Sequence, residues 1–153
     1  MTDDPLYPKA MLRMAADAAG AGALPDPDGV GSAHNPACGD RVTVQVALAG
    51  GRITALAHRT QACVLAQASA ALLAGQATGL DAEALAGLAG RVKAWLAEGG
   101  EVPAGYGVFE GAADHAGRHA CVLLPLRAAL AALEQAQEGR AGTEGQARIV
   151  QPG

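Results

Sequence analysis

The chain has 153 residues, half of them hydrophobic, with a formal net charge of −4 and no run of Lys or Arg. This supports one domain with a genuine core and argues against a nucleic-acid partner, since the basic footprint that phosphate backbones require is missing. The acidic start MTDDPLYPKA lacks the flank and apolar stretch of a signal peptide, and no segment offers the roughly 18 uncharged apolar residues of a membrane span, so the chain reads as cytoplasmic with no membrane partner.

Asp3 or Asp4 can cap a first helix, with Pro5 and Pro8 where missing N–H groups cost least, running through MLRMAADAA to about Gly20. Residues 20–36 have the Gly, Pro and Asp density of a loop and leave room for a short strand at most. In RVTVQVAL, Val42, Val44, Val46 and Leu48 alternate with Thr43, Gln45 and Ala47, the period-2 pattern of a strand with one buried face. AGGR makes a hairpin turn into a second strand over residues 52–62. CVLAQASAALLAGQATG then loses its β-branched residues and becomes a strong helix former ending near Gly75 or Gly79, which sets Cys63 at a strand-to-helix junction. Asp81 can cap a third helix with Leu85, Leu88, Val92 and Trp95 or Leu96 on one stripe, closed by Gly99-Gly100. Residues 101–120 read as irregular with room for one helical turn. A last helix starts at Cys121, the only arrangement in which Pro125 is easily tolerated. Residues 1–139 form the predicted domain, and residues 140–153 are too poor in apolar side chains to order themselves and read as a flexible tail.

Three cysteines, an odd number, fit ligands or reactive thiols in a reducing compartment better than a disulfide framework. Each falls at the edge of a predicted element, where helix N-termini and loop amides can lower a thiol pKa. Cys38 stands in NPACGD, two residues before Asp40. Spacing matches no zinc-finger pattern, so a shared metal site has to be assembled by the tertiary fold; on placement alone, three unrelated packing cysteines remain equally open. Asp40 reads as a ligand or as ordinary turn chemistry before a strand. His119, two residues from Cys121, reads as a solvated loop histidine or a metal ligand.

NPACGD before an amphipathic strand, QAC at a helix start and RHAC at another resemble the U-type iron–sulfur cluster scaffold family, which includes IscU, SufU and the N-terminal domain of NifU. The resemblance runs from about residue 7 to about residue 133. It implies one exposed site formed by Cys38, Asp40, Cys63 and Cys121, holding a transient [2Fe–2S] cluster or Zn2+, with a cysteine desulfurase as sulfur donor and apo iron–sulfur proteins as acceptors. Cys38 is the favoured sulfur acceptor and Cys121 the second choice. In this setting the carboxylate has a purpose: thiolates select iron–sulfur clusters or zinc, and a harder, more exchangeable oxygen ligand keeps one edge of the site labile.

IscU-type members place a histidine directly before the third cysteine and carry an LPPVK chaperone-recognition segment ahead of it. Here the sequence reads DHAGRHAC, so Ala120 precedes Cys121. The longer stretch between Cys63 and Cys121, and the Arg118-x-x-Cys121 spacing, look more like SufU, whose relatives can hold zinc tightly and accept sulfur from a desulfurase. Arg118 is a candidate hydrogen-bond partner for Asp40, or an ordinary surface arginine. The expected fold is α+β: a small antiparallel sheet of about three strands packed on one face by helices, of SufE/NifU-like (IscU-like) architecture. The expected function is an iron–sulfur cluster assembly scaffold. The alternatives are a SufU-like zinc-dependent sulfurtransferase and a purely structural zinc domain.

Overall fold

A computed structural model describes residues 7–36 and 39–149, with side chains described as far as Glu138. Among the described residues, five α-helices accompany three strands. They are α1 (Lys9–Asp17), β1 (Gly29–Asn35), β2 (Asp40–Ala49), β3 (Arg52–Gln61), α2 (Val64–Gln76), α3 (Ala82–Glu98), α4 (Glu110–Ala113) and α5 (Ala116–Ile149). A 3₁₀ turn, Tyr106–Phe109, precedes α4. The sheet is antiparallel in the order β1-β2-β3, and the fold is α+β as the sequence predicts.

The alternation in β2 does what its period requires. Val42, Val44 and Val46 are fully buried, while Arg41 and Ala49 are exposed, because successive side chains of a strand point to opposite faces. The β2–β3 turn uses Gly50 and Gly51 at φ 59° and 79°, the paired positive values that a tight two-residue hairpin demands. On the buried face α5 packs across β1 and β2, with α2 and α3 against α5 and α1 against α2. Leu65, Leu73, Leu85, Val92, Leu124 and Leu126, together with Tyr106 and Phe109, complete the interior. Asp81 caps α3 by accepting the Ala84 N–H at 2.8 Å, as read from the sequence.

Three features depart from the sequence reading. First, β1 is a full seven-residue strand inside the predicted loop. Its Gly29 and Gly31 conceal it because they lack strand character, yet they are what the packing needs: a Cβ on Gly31 would strike the backbone of Ala132 and come within 2.5 Å of the Ala128 carbonyl oxygen. Only glycine lets α5 lie this close to the strand.

Second, α1 starts at Lys9 after Pro8 and ends at Ala18, which takes the left-handed conformation (φ 49°) and donates its N–H to the Met14 carbonyl. The caps foreseen at Asp3 and Asp4 lie outside the described residues.

Third, α5 starts at Ala116, one turn earlier than predicted, so Cys121 sits within the helix and Pro125 well inside it. An interior proline costs roughly 3 kcal/mol, offset here by burial of Val122, Leu124, Leu126, Ala128, Ala129 and Ala132 along the same helix.

The α5 backbone continues to Ile149. Once nucleated, each added helical residue gains a hydrogen bond. The stretch Ala116–Glu138 is long and apolar enough to cross a membrane, and half of it is buried in this fold; it includes Arg118, Arg127, Glu134 and Glu138 and serves as the central core helix.

Candidate metal centre

Asp40 opens β2, and strand parity puts it on the same face as Val42 and Val44, toward the helices. The turn leading to it is closed by the Gly39 N–H, which donates to the Asn35 carbonyl at 2.8 Å. Cys63 is the N-cap of α2, with extended backbone (φ −64°, ψ 166°). Cys121 is brought over from α5 and is only 3% exposed.

One carboxylate oxygen of Asp40 and the sulfurs of Cys63 and Cys121 all lie within 4.8 Å of one another. Asp40 Oδ2 accepts the Cys63 N–H at 3.3 Å and stands 4.0 Å from Cys121 Sγ. A carboxylate facing the first amide of a helix is where the helix dipole favours negative charge.

Neighbouring polar groups fix this geometry. Gln67 Nε2 donates to the Ala62 carbonyl at 2.9 Å, and its backbone N–H donates to the Cys63 carbonyl at 3.0 Å. The buried Ser69 hydroxyl donates to the Val122 carbonyl at 2.6 Å. Neither Gln67 nor Ser69 was singled out from the sequence. The only signal was a lone polar residue among alanines and leucines in a helix, which has meaning once the facing helix is known.

Hydrogen bonding with the Cys121 thiol, and then burial, push the Cys63 thiol well above the ordinary cysteine range. This corrects the expectation of a lowered pKa. The Ala66 amide does act in the lowering direction, but the Cys121 sulfur, burial and the Asp40 carboxylate outweigh it. In the metal-free protein Cys63 is therefore a thiol, and a metal entering the site must displace its proton.

Of the predicted site residues, the fold brings Asp40, Cys63 and Cys121 together. Cys38 lies outside the described residues. Arg118 is exposed, and its described hydrogen bond is from its backbone N–H to the His115 carbonyl. His119 holds its Nε2 2.8 Å from the Ala113 carbonyl oxygen, and it is not a member of the donor cluster. Two sulfurs and one oxygen in close reach fit a thiophilic metal with an exchangeable edge, iron or zinc, better than a hard cation, which takes an all-oxygen shell.

Residues 6–102 match the family described as NifU-like N terminal domain. The chain belongs to this family, the U-type scaffold family. A crystal structure of a nitrogen-fixing NifU-like protein (N-terminal) from Brucella abortus is 33% identical and superposes with a TM-score of 0.82, covering 88% of this chain and 96% of that one. A candidate iron–sulfur cluster assembly scaffold protein for the SUF system from Fervidobacterium islandicum AW-1 shares the fold at 21% identity, with a TM-score of 0.69 over 84% of this chain and 96% of that one. No match was found among curated proteins. The family match ends before Cys121, the donor that α5 carries into this NifU-like site.

Proposed function

We propose that this NifU-like domain is a scaffold on which a transient [2Fe–2S] cluster is built and from which it is handed to apo iron–sulfur proteins. The observation that carries the reading is the convergence of Asp40, Cys63 and Cys121 within 4.8 Å, from positions 23 and 81 residues away from Asp40. Cys38 is the fourth proposed ligand: it is two residues from Asp40, a separation that the chain spans in about 7 Å. The cluster is the cargo. The thiolates of Cys38, Cys63 and Cys121 retain it, while the Asp40 carboxylate supplies the exchangeable bond through which it leaves.

Sulfur arrives from a cysteine desulfurase. The Cys38 thiolate attacks the terminal sulfur of the partner's cysteine persulfide, forming a Cys38 persulfide and releasing the partner's thiolate, with no net change in electron count. Cys121, which is buried, is the second choice for acceptor. Arg118 is the proposed hydrogen-bond partner that restrains Asp40 when metal is absent. The working unit is residues 1–139, in the reducing cytoplasm where free thiols persist.

A second reading is a zinc-dependent sulfurtransferase, because two thiols and a carboxylate in close reach suit zinc as well as iron, and Ala120 rather than a histidine stands next to Cys121. Zinc would then occupy the same four residues at rest and release one thiolate to the persulfide.

Anaerobic purification with a visible spectrum and metal analysis separates the two readings. Sulfide-to-iron charge-transfer bands with two iron per protein supports the scaffold, whereas one tightly held zinc with stimulation of a desulfurase supports the relay. A protein that binds neither metal removes both.

A further inference from the structure

Ser69 and His58 are the buried polar side chains among the described residues. His58 is accounted for by its bonds to Thr60 and to the Ala19 carbonyl, which pin the segment after α1 to the edge of the sheet. Ser69 has a different placement. It is fully buried in α2, among Leu65, Ala66, Ala68, Ala70 and Leu73, where alanine would pack as well and favour the helix more. Its hydroxyl bonds instead to the carbonyl of Val122 at 2.6 Å, the residue that follows Cys121.

We infer that Ser69 is a positioning residue for the metal centre, locking the helix that Cys63 caps onto the turn of α5 that carries Cys121 and so fixing the separation of the two thiols. The inference rests on the reading of Cys63 and Cys121 as ligands of one site.

Three observations carry it. A hydroxyl buried in apolar surroundings is costly without a partner, so this bond resists sliding of one helix along the other. Pro125, one turn beyond Cys121, contributes no N–H to the α5 ladder, which leaves a bond from outside the helix with more influence on that turn. The donors meet where the two helices face each other: the Cys63 N–H reaches Asp40 Oδ2 at 3.3 Å and Cys121 Sγ lies 4.0 Å from the same oxygen, so the setting of α2 against α5 governs how they converge. Ligands tune a metal only when the layer behind them holds them in place.

Cobalt(II) is the probe, because its d–d and thiolate charge-transfer bands report ligand geometry directly. The full chain is titrated anaerobically as wild type, Ser69→Ala, Ser69→Thr and Ala70→Gly. Ser69→Ala is expected to weaken cobalt binding about tenfold and to shift or broaden the d–d bands. Ser69→Thr, which keeps a hydroxyl, lies closer to wild type in both readouts. Ala70→Gly loosens the same helix without touching the bond; it lowers the melting temperature but leaves the bands in place. Wild-type bands and affinity in Ser69→Ala, or the same band shift in Ala70→Gly, overturn the positioning role. A wild-type protein with no thiolate charge-transfer band overturns the site itself, and the inference with it.

Discussion

Replacing Asp40 with Ala separates two jobs of one carboxylate. In the metal-free protein Asp40 Oδ2 accepts the Cys63 N–H at 3.3 Å at the start of α2. A hydrogen bond to a charged acceptor contributes about 1.5–3 kcal/mol when short and shielded. This one is long and half-exposed, so the expected loss is about 1 kcal/mol, or about 3 °C in Tm for a chain of this size. The same substitution removes one of the causes that raise the Cys63 thiol, so alkylation of Cys63 becomes faster. In the loaded protein the effect reverses direction. Three thiolates remain and the exchangeable oxygen is gone, so a reconstituted cluster decays more slowly and passes more slowly to an apo-ferredoxin, whereas Cys63→Ala or Cys121→Ala fails to retain one. The assay follows visible absorbance for decay and the acceptor's circular dichroism for transfer, with both proteins side by side. Unchanged decay and transfer in Asp40→Ala, together with the small loss of Tm, would reduce Asp40 to a turn residue.

Gly31→Ala places a methyl against the backbone of α5, 2.5 Å from the Ala128 carbonyl oxygen and 2.6 Å from the Ala131 carbonyl carbon; backbone cannot yield cheaply, so denaturant unfolding is expected to show a loss of about 3 kcal/mol or more. Gly75→Ala, in α2 with no heavy atom within 4 Å of the added carbon, is expected to be neutral or stabilising by up to about 1 kcal/mol in the same assay. For pH, the raised Cys63 thiol means that the unfolded chain gives up its proton first, so metal-free stability falls as pH rises above about 8.5. Buried Tyr106, also raised by desolvation, extends the fall above about 10; Tm against pH should flatten between these two values in Cys63→Ser and in the zinc-loaded protein. Zinc binding to the wild type should release protons to a weakly buffered solution, and Cys63 and Cys121 should alkylate slowly in the folded metal-free state, because one is held as a thiol and the other is buried. Fast alkylation of both without denaturant contradicts the site geometry.

Local patterns determined a good part of this molecule. The Val42, Val44, Val46 alternation, the Gly50-Gly51 hairpin, the Asp81 cap and Cys63 at the head of a helix all follow from period, turn chemistry and capping, which act over a few residues and are written in consecutive positions. The motif NPACGD and its companion cysteine contexts pointed to the family for the same reason. The tertiary structure decided what depends on backbones meeting across the chain. Gly29 and Gly31 read as loop until α5 is laid against them, when the absent side chains become the condition for contact. Pro125 argues for a helix start until the burial around it offsets its cost. Cys63 at a helix N-terminus suggested a low pKa, and only the arrival of Cys121 beside it reversed the direction. Ser69 is one hydroxyl in an alanine-rich helix until Val122 supplies its acceptor. A sequence records each residue's own preferences, whereas close approach, desolvation and pairing belong to residues tens of positions apart, and these bring Asp40, Cys63 and Cys121 within reach of one metal.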